Sequence, residues 1–93
     1  MVIEAATVRL YAPWVHSLKE KRMEVKSLVA KTRNRFNISI AEVDEQDTHK
    51  TIVLGFACVA GNISQADRII ESVLEFIERN TDAEITEVRR EHR

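Results

Sequence analysis

The sequence predicts a single α+β domain in which a four-stranded antiparallel sheet carries two helices on one face. Two segments have apolar residues at helical spacing, and the segments around them alternate between apolar and polar residues as half-buried strands do. The chain has 93 residues, of which 44% are hydrophobic. A chain of this length buries roughly 65% of its unfolded surface in one core and leaves no material for a second. We therefore expect one domain over residues 1–93.

The first strand and the first helix have the clearest boundaries. Apolar and polar residues alternate over Val2–Tyr11, which predicts a strand. Pro13 then turns the chain, because its ring fixes φ and its nitrogen has no proton to donate to a sheet. Ser17, followed three residues later by Glu20, has the spacing of a capping box, in which two side chains bind backbone N–H groups at a helix start. An amphipathic helix is expected from there to Phe36.

Three further strands are expected. Alternating patterns predict strands over 37–44 and Thr51–Ala60, joined by a short polar hairpin. The second of them is apolar on both faces and therefore belongs in the centre of the sheet. The apolar residues of the segment 37–44 change from one face to the other near residue 40, which predicts a bulge or twist in that strand. The segment 83–90 is short and highly charged, as is typical of a strand at a sheet edge.

The second helix is expected between the last two of these strands. Ser64 begins an S-x-x-D cap, apolar residues follow at helical spacing, and Asn80 suits a helix end. The element order is then βαββαβ, which with right-handed crossovers gives the ferredoxin-like sandwich with both helices on one face of the sheet. In this topology the end of the first helix and the end of the last strand lie at the same end of the molecule.

The composition excludes several classes of protein. The sequence has no run of about 18 apolar residues and no apolar leader with a cleavage site, so we expect a cytoplasmic protein rather than one in a membrane or secreted. Cys58 cannot form an internal disulfide and is expected to pack in the core. Metal-binding, phosphate-loop and serine-nucleophile motifs are absent from the sequence, and His16 and His49 are expected to be solvated loop residues. We expect no enzymatic activity, no cofactor and no metal.

Charge is distributed unevenly along a chain whose total is −1. The first helix has seven basic and two acidic residues from Lys19 to Arg35, whereas residues 61–87 have seven acidic and two basic. A basic helix in a nearly neutral protein predicts an anionic partner such as a nucleic-acid backbone. The residues expected to contact phosphates are Lys19, Lys21, Arg22, Lys26, Arg33, Arg35, Arg89 and Arg90.

Four of these residues should form a stripe beside the apolar face of the first helix. They are Lys19, Arg22, Lys26 and Arg33, which share one side at 100° per residue. The stripe could follow successive phosphates, or it could pair with the acidic edge of the second helix. The sequence is compatible with both arrangements.

The start of the first helix suggests a second hypothesis for function. Lys19 and Lys21 lie in the first turn, at the positive end of the helix dipole, where each exposed cation costs about 0.3–1 kcal/mol. A phosphate bound by the free N–H groups would relieve that repulsion, which predicts a small-anion-binding module with its pocket between Pro13-Trp14 and the hairpin. The acidic hairpin residues 44–47 could equally neutralise both lysines.

The other end of the fold should bring arginines together. Arg33 and Arg35 end the first helix, where the dipole favours cations. Arg89, Arg90 and Arg93 are expected at the same end. Five arginines in one place require counterions, for which a nucleic-acid backbone is one source, whereas disorder of the last residues would leave them apart.

Two motifs resemble a known family. HSLKEKR at 16–22 and RNRFNISIAEVD at 33–44, followed by Gln46-Asp47, are similar to the YlxP-like family of small bacterial proteins, and the similarity extends over the whole chain. Trp14 differs from the small residue expected in the loop before the first motif. The resemblance implies a ferredoxin-like fold and a partner that is RNA or a ribosomal subunit, because such proteins are often encoded beside ribosome-maturation and translation-initiation genes. It implies no catalytic residue.

The sheet face that the helices leave uncovered is expected to be apolar. The residues that should point there are Ile3, Ala5, Val53, Ala57 and Val59. A solvated sheet face normally carries polar residues, so we expect a second copy of the chain to cover this one in a two-fold dimer. Alternatively, Thr7, Arg9 and Tyr11 fold over the patch and keep the protein monomeric.

Overall fold

The structure is a computed structural model that describes residues 1–92. It contains six elements in the predicted order βαββαβ. They are β1 (Val2–Tyr11), α1 (Leu18–Arg35), β2 (Ser39–Asp44), β3 (Thr51–Ala60), α2 (Ile63–Arg79) and β4 (Glu84–His92). The predicted limits of β1 and β3 are confirmed, while β2 begins later and β4 ends later than predicted.

The four strands form one antiparallel sheet in the order β2-β3-β1-β4. The strand β3 therefore lies in the centre and the charged β4 at an edge, as predicted, with β1 as the other central strand and the shorter β2 at the other edge. This arrangement confirms the predicted α+β ferredoxin-like sandwich. Within residues 1–92, no helix has the length and apolar character that crossing a membrane requires.

The core lies between the sheet and the two helices. Val8 pairs with Leu54 and Leu10 with Ile52 across the central ladder, and all four side chains are completely buried. Their alternation places the even-numbered residues of both strands under the helices. Cys58 belongs to this buried set, as predicted, and its thiol is free.

The two helix starts differ in how well the sequence located them. Ser17 caps α1 as predicted, because its Oγ accepts a hydrogen bond of 3.1 Å from the backbone N–H of Glu20. The predicted cap at Ser64 is wrong. Asn62 caps α2 instead, with its Oδ1 accepting a hydrogen bond of 2.8 Å from the N–H of Gln65. Asparagine is at least as good a cap as serine, so the helix begins at Ile63, directly after the earlier of the two possible caps.

A bulge in β2 brings this strand very close to β3. The register between the strands shifts from Glu42 to Asp44, which makes Val43 the extra residue, rather than a residue near position 40 as predicted. Val43 lies directly over Gly55, where an added Cβ would be only 2.9 Å from Val43 Cγ1. Glycine is therefore the residue that this approach requires.

A second bulge changes the direction of the side chains of β4. Arg9 pairs with Glu87 and Leu10 with Ile85, so Thr86 is the extra residue. The hydroxyl of Thr86 donates a hydrogen bond of 3.2 Å to the carbonyl oxygen of Arg9. Beyond this point the even-numbered residues of β4 lie on the helix side of the sheet, because they pair with even-numbered residues of β1.

Candidate functional site

The predicted stripe on α1 is exposed to solvent. We use the name basic stripe for Lys19, Arg22, Lys26 and Arg33, all of which are exposed. They lie within roughly 60° of the helix circumference and extend over about 21 Å of its length. Arg33 Nη2 donates a hydrogen bond of 2.9 Å to the carbonyl oxygen of Ile40, which places this side of α1 beside β2.

The basic stripe does not pair with α2. Within residues 1–92, no ion pair joins the two helices, and Lys19 and Lys26 form no ion pair with any carboxylate. Arg22 Nη2 lies 4.0 Å from Asp47 Oδ1, but both side chains are largely exposed, so the contribution of this contact to stability is small. The stripe thus presents positive charge that the described part of the chain leaves mostly unneutralised.

Lys21 is not part of any exposed surface, which corrects its predicted role in phosphate contact. The residue is 0% exposed, and its Nζ lies 3.0 Å from Glu42 Oε2. The same ammonium donates a hydrogen bond to the carbonyl oxygen of Glu45, a residue with the positive φ of 54°. Lys21 therefore holds the hairpin against α1. Lys21 is thus neutralised by Glu42 of β2 and not by the carboxylates of the hairpin acids 44–47, of which Glu45 contributes only its backbone carbonyl.

These contacts leave few free cations for the small-anion pocket expected at the start of α1. Lys50, the other lysine at this end, donates hydrogen bonds to the carbonyl oxygens of Pro13 and Val15, the latter at 3.1 Å. With Lys21 buried, Lys19 and Arg22 are the exposed cations in the first turns of α1 within residues 1–92. His16 and His49 are exposed and belong to no cluster of possible metal ligands within residues 1–92.

The expected convergence of arginines is wrong. Arg33 and Arg35 lie at the β2 edge of the sheet, whereas Arg89 and Arg90 lie on β4 at the opposite edge, roughly 14 Å away at 4.8 Å per strand. Arg35 packs its guanidinium 5.6 Å from the ring centroid of the neighbouring Phe36. The predicted contribution of Arg93 lies outside the described residues.

Arg89 and Arg90 also have different surroundings, because consecutive residues of a strand point to opposite faces. Arg89 is on the open face and forms an exposed ion pair of 3.5 Å with Glu87. Arg90 points to the helix side, where it binds Glu71 of α2 and lies 3.7 Å from Asp67 Oδ1. Arg90 is therefore engaged by acidic residues of the same chain, which corrects its predicted role in phosphate contact.

The open sheet face is a shallow, largely apolar groove. Its volume is about 480 Å³, and Ala5, Gly55 and Ala57 contribute its small floor residues. The side chains of Val43 and Val59 project from the sheet and are 50% and 63% exposed. The five residues predicted to point to this face do so, as the pairing of Ile3 with Val59, Ala5 with Ala57 and Arg9 with Val53 shows.

A buried carboxylate under α2 is the feature that the sequence analysis missed. Glu4 of β1 is 0% exposed, and neither of its carboxylate oxygens accepts a hydrogen bond from a donor within residues 1–92. Its Oε1 lies 3.3 Å from His92 Nε2 and 3.5 Å from Arg90 Nη2. Asp67 Oδ1 of α2 lies 3.5 Å from the same His92 nitrogen. A charged cluster thus connects β1, α2 and β4.

Burial raises the pKa of the Glu4 carboxyl, and the neighbouring Asp67 raises it further because two carboxylates can hydrogen-bond only when one is protonated. The positive charges of His92 and Arg90 oppose this rise. Burial would lower the pKa of Arg90, but its hydrogen bond with Glu71 and the nearby carboxylates raise it above the ordinary value. Burial also raises the pKa of the Cys58 thiol, which is paired opposite Glu4 in the ladder.

Solved structures with the same architecture support the class of fold. The de novo designed protein LFR1 1, described as having a ferredoxin fold, matches the whole chain and 85% of its own length with a TM-score of 0.57 and 19% identity. The de novo designed protein Foldit4 matches 97% of this chain and 94% of its own length with a TM-score of 0.51 and 14% identity. At these identities the likeness concerns the fold alone.

Sequence comparison then places the chain in a family. The model of the family described as Protein of unknown function (DUF503) matches residues 3–90, so the chain belongs to that family. Uncharacterized protein YlxP of Bacillus subtilis (strain 168) is 37% identical over 75 residues, which cover 81% of this chain and 82% of the relative. The predicted membership of a YlxP-like family is thereby confirmed.

Proposed function

We propose that this protein is a non-enzymatic, cytoplasmic accessory protein that binds RNA, with a ribosomal subunit as the expected partner, through the basic stripe of α1. The observation that supports this proposal is the exposure of four basic side chains that the acidic residues of α2 do not neutralise. Phosphate groups of a nucleic acid are the ligands that such a row of cations recognises best.

The contact is expected to be electrostatic rather than base-specific. A sheet that stacks bases requires aromatic side chains on its open face, but β3 presents Gly55, Ala57 and Val59 there. The basic stripe lies instead on a helix beside the β2 edge. Its cations are spread over about 21 Å, a length along which a nucleic-acid strand presents several phosphates. Binding should therefore depend on charge and salt more than on sequence.

Sedimentation with purified ribosomal subunits tests the proposal. If four cations each displace a counterion, the association constant should fall about 50- to 150-fold between 50 and 200 mM salt. Reversing Arg22→Glu together with Lys26→Glu should abolish association and leave the fold intact, because both side chains are exposed.

A matched control separates the basic stripe from overall charge. Lys31→Glu together with Arg68→Glu makes the same change in net charge at two exposed residues outside the stripe, and this variant should still associate. Equal loss of association in both double variants, or wild-type binding that does not respond to salt, would reject the basic stripe as the interface.

For the open sheet face, we propose a two-fold homodimer with the groove as its interface. Val43 lines the groove beside its floor of alanines and glycine, and the exposed Val59 lies on the same face of the sheet, so two such faces can bury apolar surface against each other at a sheet spacing of about 10 Å.

Light scattering at micromolar concentration tests the dimer. The wild-type protein should have twice its chain mass of 10.7 kDa, and Ala57→Arg should return it to the monomer by placing a charge on the groove floor. Ser72→Arg adds the same charge at an exposed residue of α2 and should leave the dimer unchanged. A monomeric wild type, or a dimer that tolerates Ala57→Arg, would refute this interface.

A further inference from the structure

Three side chains from three different elements bring possible metal ligands together at the β4 edge. They are Glu4 of β1, Asp67 of α2 and His92 of β4, whose ligand atoms all lie within 4.8 Å of one another. The basic stripe lies at the opposite edge of the sheet, so this cluster is separate from the proposed RNA interface.

The Glu4 carboxylate has His92 Nε2 at 3.3 Å and Arg90 Nη2 at 3.5 Å, but neither group forms a hydrogen bond with it. Its side chain is completely buried and points into the cluster, yet both oxygens lack a hydrogen-bond donor within residues 1–92. A buried carboxylate that accepts no hydrogen bond is costly, and a directly coordinated cation would offset that cost. Arg90 is the nearest guanidinium, but it binds Glu71 with its other nitrogen and approaches Glu4 no closer than 3.5 Å.

The charge balance of the cluster indicates a divalent cation. When all three carboxylates are ionised and His92 is neutral, Glu4, Asp67 and Glu71 bring three negative charges and Arg90 one positive charge, a net charge of −2. One divalent ion would bring this total to zero. A neutral imidazole is also the form of histidine that binds metals.

The two distances from the histidine nitrogen to the carboxylate oxygens match the spacing of ligands around a tetrahedral ion. His92 Nε2 is 3.3 Å from Glu4 Oε1 and 3.5 Å from Asp67 Oδ1. Ligand atoms of a tetrahedral zinc ion, at bond lengths of about 2.0–2.1 Å, are about 3.3–3.4 Å apart. Magnesium prefers an octahedron of oxygen ligands, in which adjacent ligand atoms are only about 2.9 Å apart, and it rarely binds an imidazole nitrogen.

We propose that Glu4, Asp67 and His92 bind a divalent transition-metal ion of the zinc class, with water in the fourth position. The ion takes the place that Arg90 Nη2 now occupies between Glu4 and Asp67, while Arg90 keeps its contact with Glu71. The ion therefore connects both strands of the β1–β4 ladder to the N-terminal part of α2.

Titration of the untagged protein with zinc chloride tests the site, with cobalt chloride as the spectroscopic probe. Wild type should bind one zinc ion per chain, raise its melting temperature on binding, and give the visible absorption of tetrahedral cobalt. Asp67→Asn and His92→Gln should each weaken binding about tenfold or more. Glu75→Gln removes the same charge from an exposed position on α2 and should bind as wild type does.

Glu4→Gln separates loss of the site from loss of the fold. This variant should lose zinc binding while remaining folded by circular dichroism, since glutamine keeps the size of the side chain and removes the buried charge. Absence of zinc binding to wild type at about 100 μM metal, or equal affinity of Asp67→Asn, His92→Gln and Glu75→Gln, would overturn the proposal.

Discussion

Replacing Lys21 by alanine is expected to lower the free energy of unfolding by about 3–5 kcal/mol, the cost of removing one partner of a buried ion pair. The Lys21 ammonium is almost fully buried and lies 3.0 Å from Glu42 Oε2. Its loss would leave the Glu42 carboxylate without that cation and the carbonyl of Glu45 without one of its donors. A domain of this size has about 5–15 kcal/mol in total, so urea denaturation should show the effect directly.

A nearby exposed lysine supplies the control. Lys26→Ala removes the same side chain from the same helix, but at an exposed position, and should change the free energy of unfolding by less than about 0.5 kcal/mol. The double variant Lys21→Met with Glu42→Gln removes both charges and should be more stable than Lys21→Ala. If Lys21→Ala costs no more than Lys26→Ala, the buried pair is not what holds the hairpin to α1.

Replacing Glu4 by glutamine is expected to change the free energy of unfolding in the opposite direction. With metals removed by a chelator, Glu4→Gln should raise the free energy of unfolding at pH 7 by about 1–3 kcal/mol, the range that a buried unsatisfied polar group costs. Arg90 and His92 would each keep an acidic partner in this variant, because Asp67 contacts both.

The pH dependence of this difference follows from the direction of the pKa shift. The folded protein raises the pKa of Glu4 above its ordinary value of 4.5, so the folded state binds a proton more tightly than the unfolded state. Wild type therefore gains stability as pH falls through the folded pKa towards 4.5, and the advantage of Glu4→Gln should shrink over the same interval. A Glu4→Gln protein that is less stable than wild type at pH 7 would show that attraction to Arg90 and His92 outweighs the cost of burial.

Local patterns in the sequence were sufficient for most of the fold. Alternation gave the limits of β1 and β3, and the Ser17 cap gave the start of α1, because these features depend on residues close together in the chain. The burial of Lys21 and of Glu4 could also have been predicted from their positions in the sequence. Lys21 lies four residues before Val25 and seven before Leu28 on the apolar side of α1, and Glu4 continues the buried alternation of β1.

The charged cluster required information that local patterns do not contain. Glu4, Asp67 and His92 come from distant parts of the chain, and their meeting depends on the register of β4 against β1. The same is true of Arg90, which the sequence analysis placed among free arginines. Which partner a surface charge has is a property of the tertiary arrangement, so spacing along the chain could propose the basic stripe but not exclude Arg90 from it.

The extra residue at Thr86 determines which charges this protein encloses. Leu10 pairs with Ile85, and without the bulge the same count would bring Arg89 and Glu91 to the helix side and turn Arg90 and His92 outward. Regular pairing of the unchanged sequence, with no extra residue, would therefore exchange the inner and outer faces of β4 beyond Ile85. Glu4 would then face an acidic neighbour in place of an imidazole, although every residue from 87 onward kept its identity.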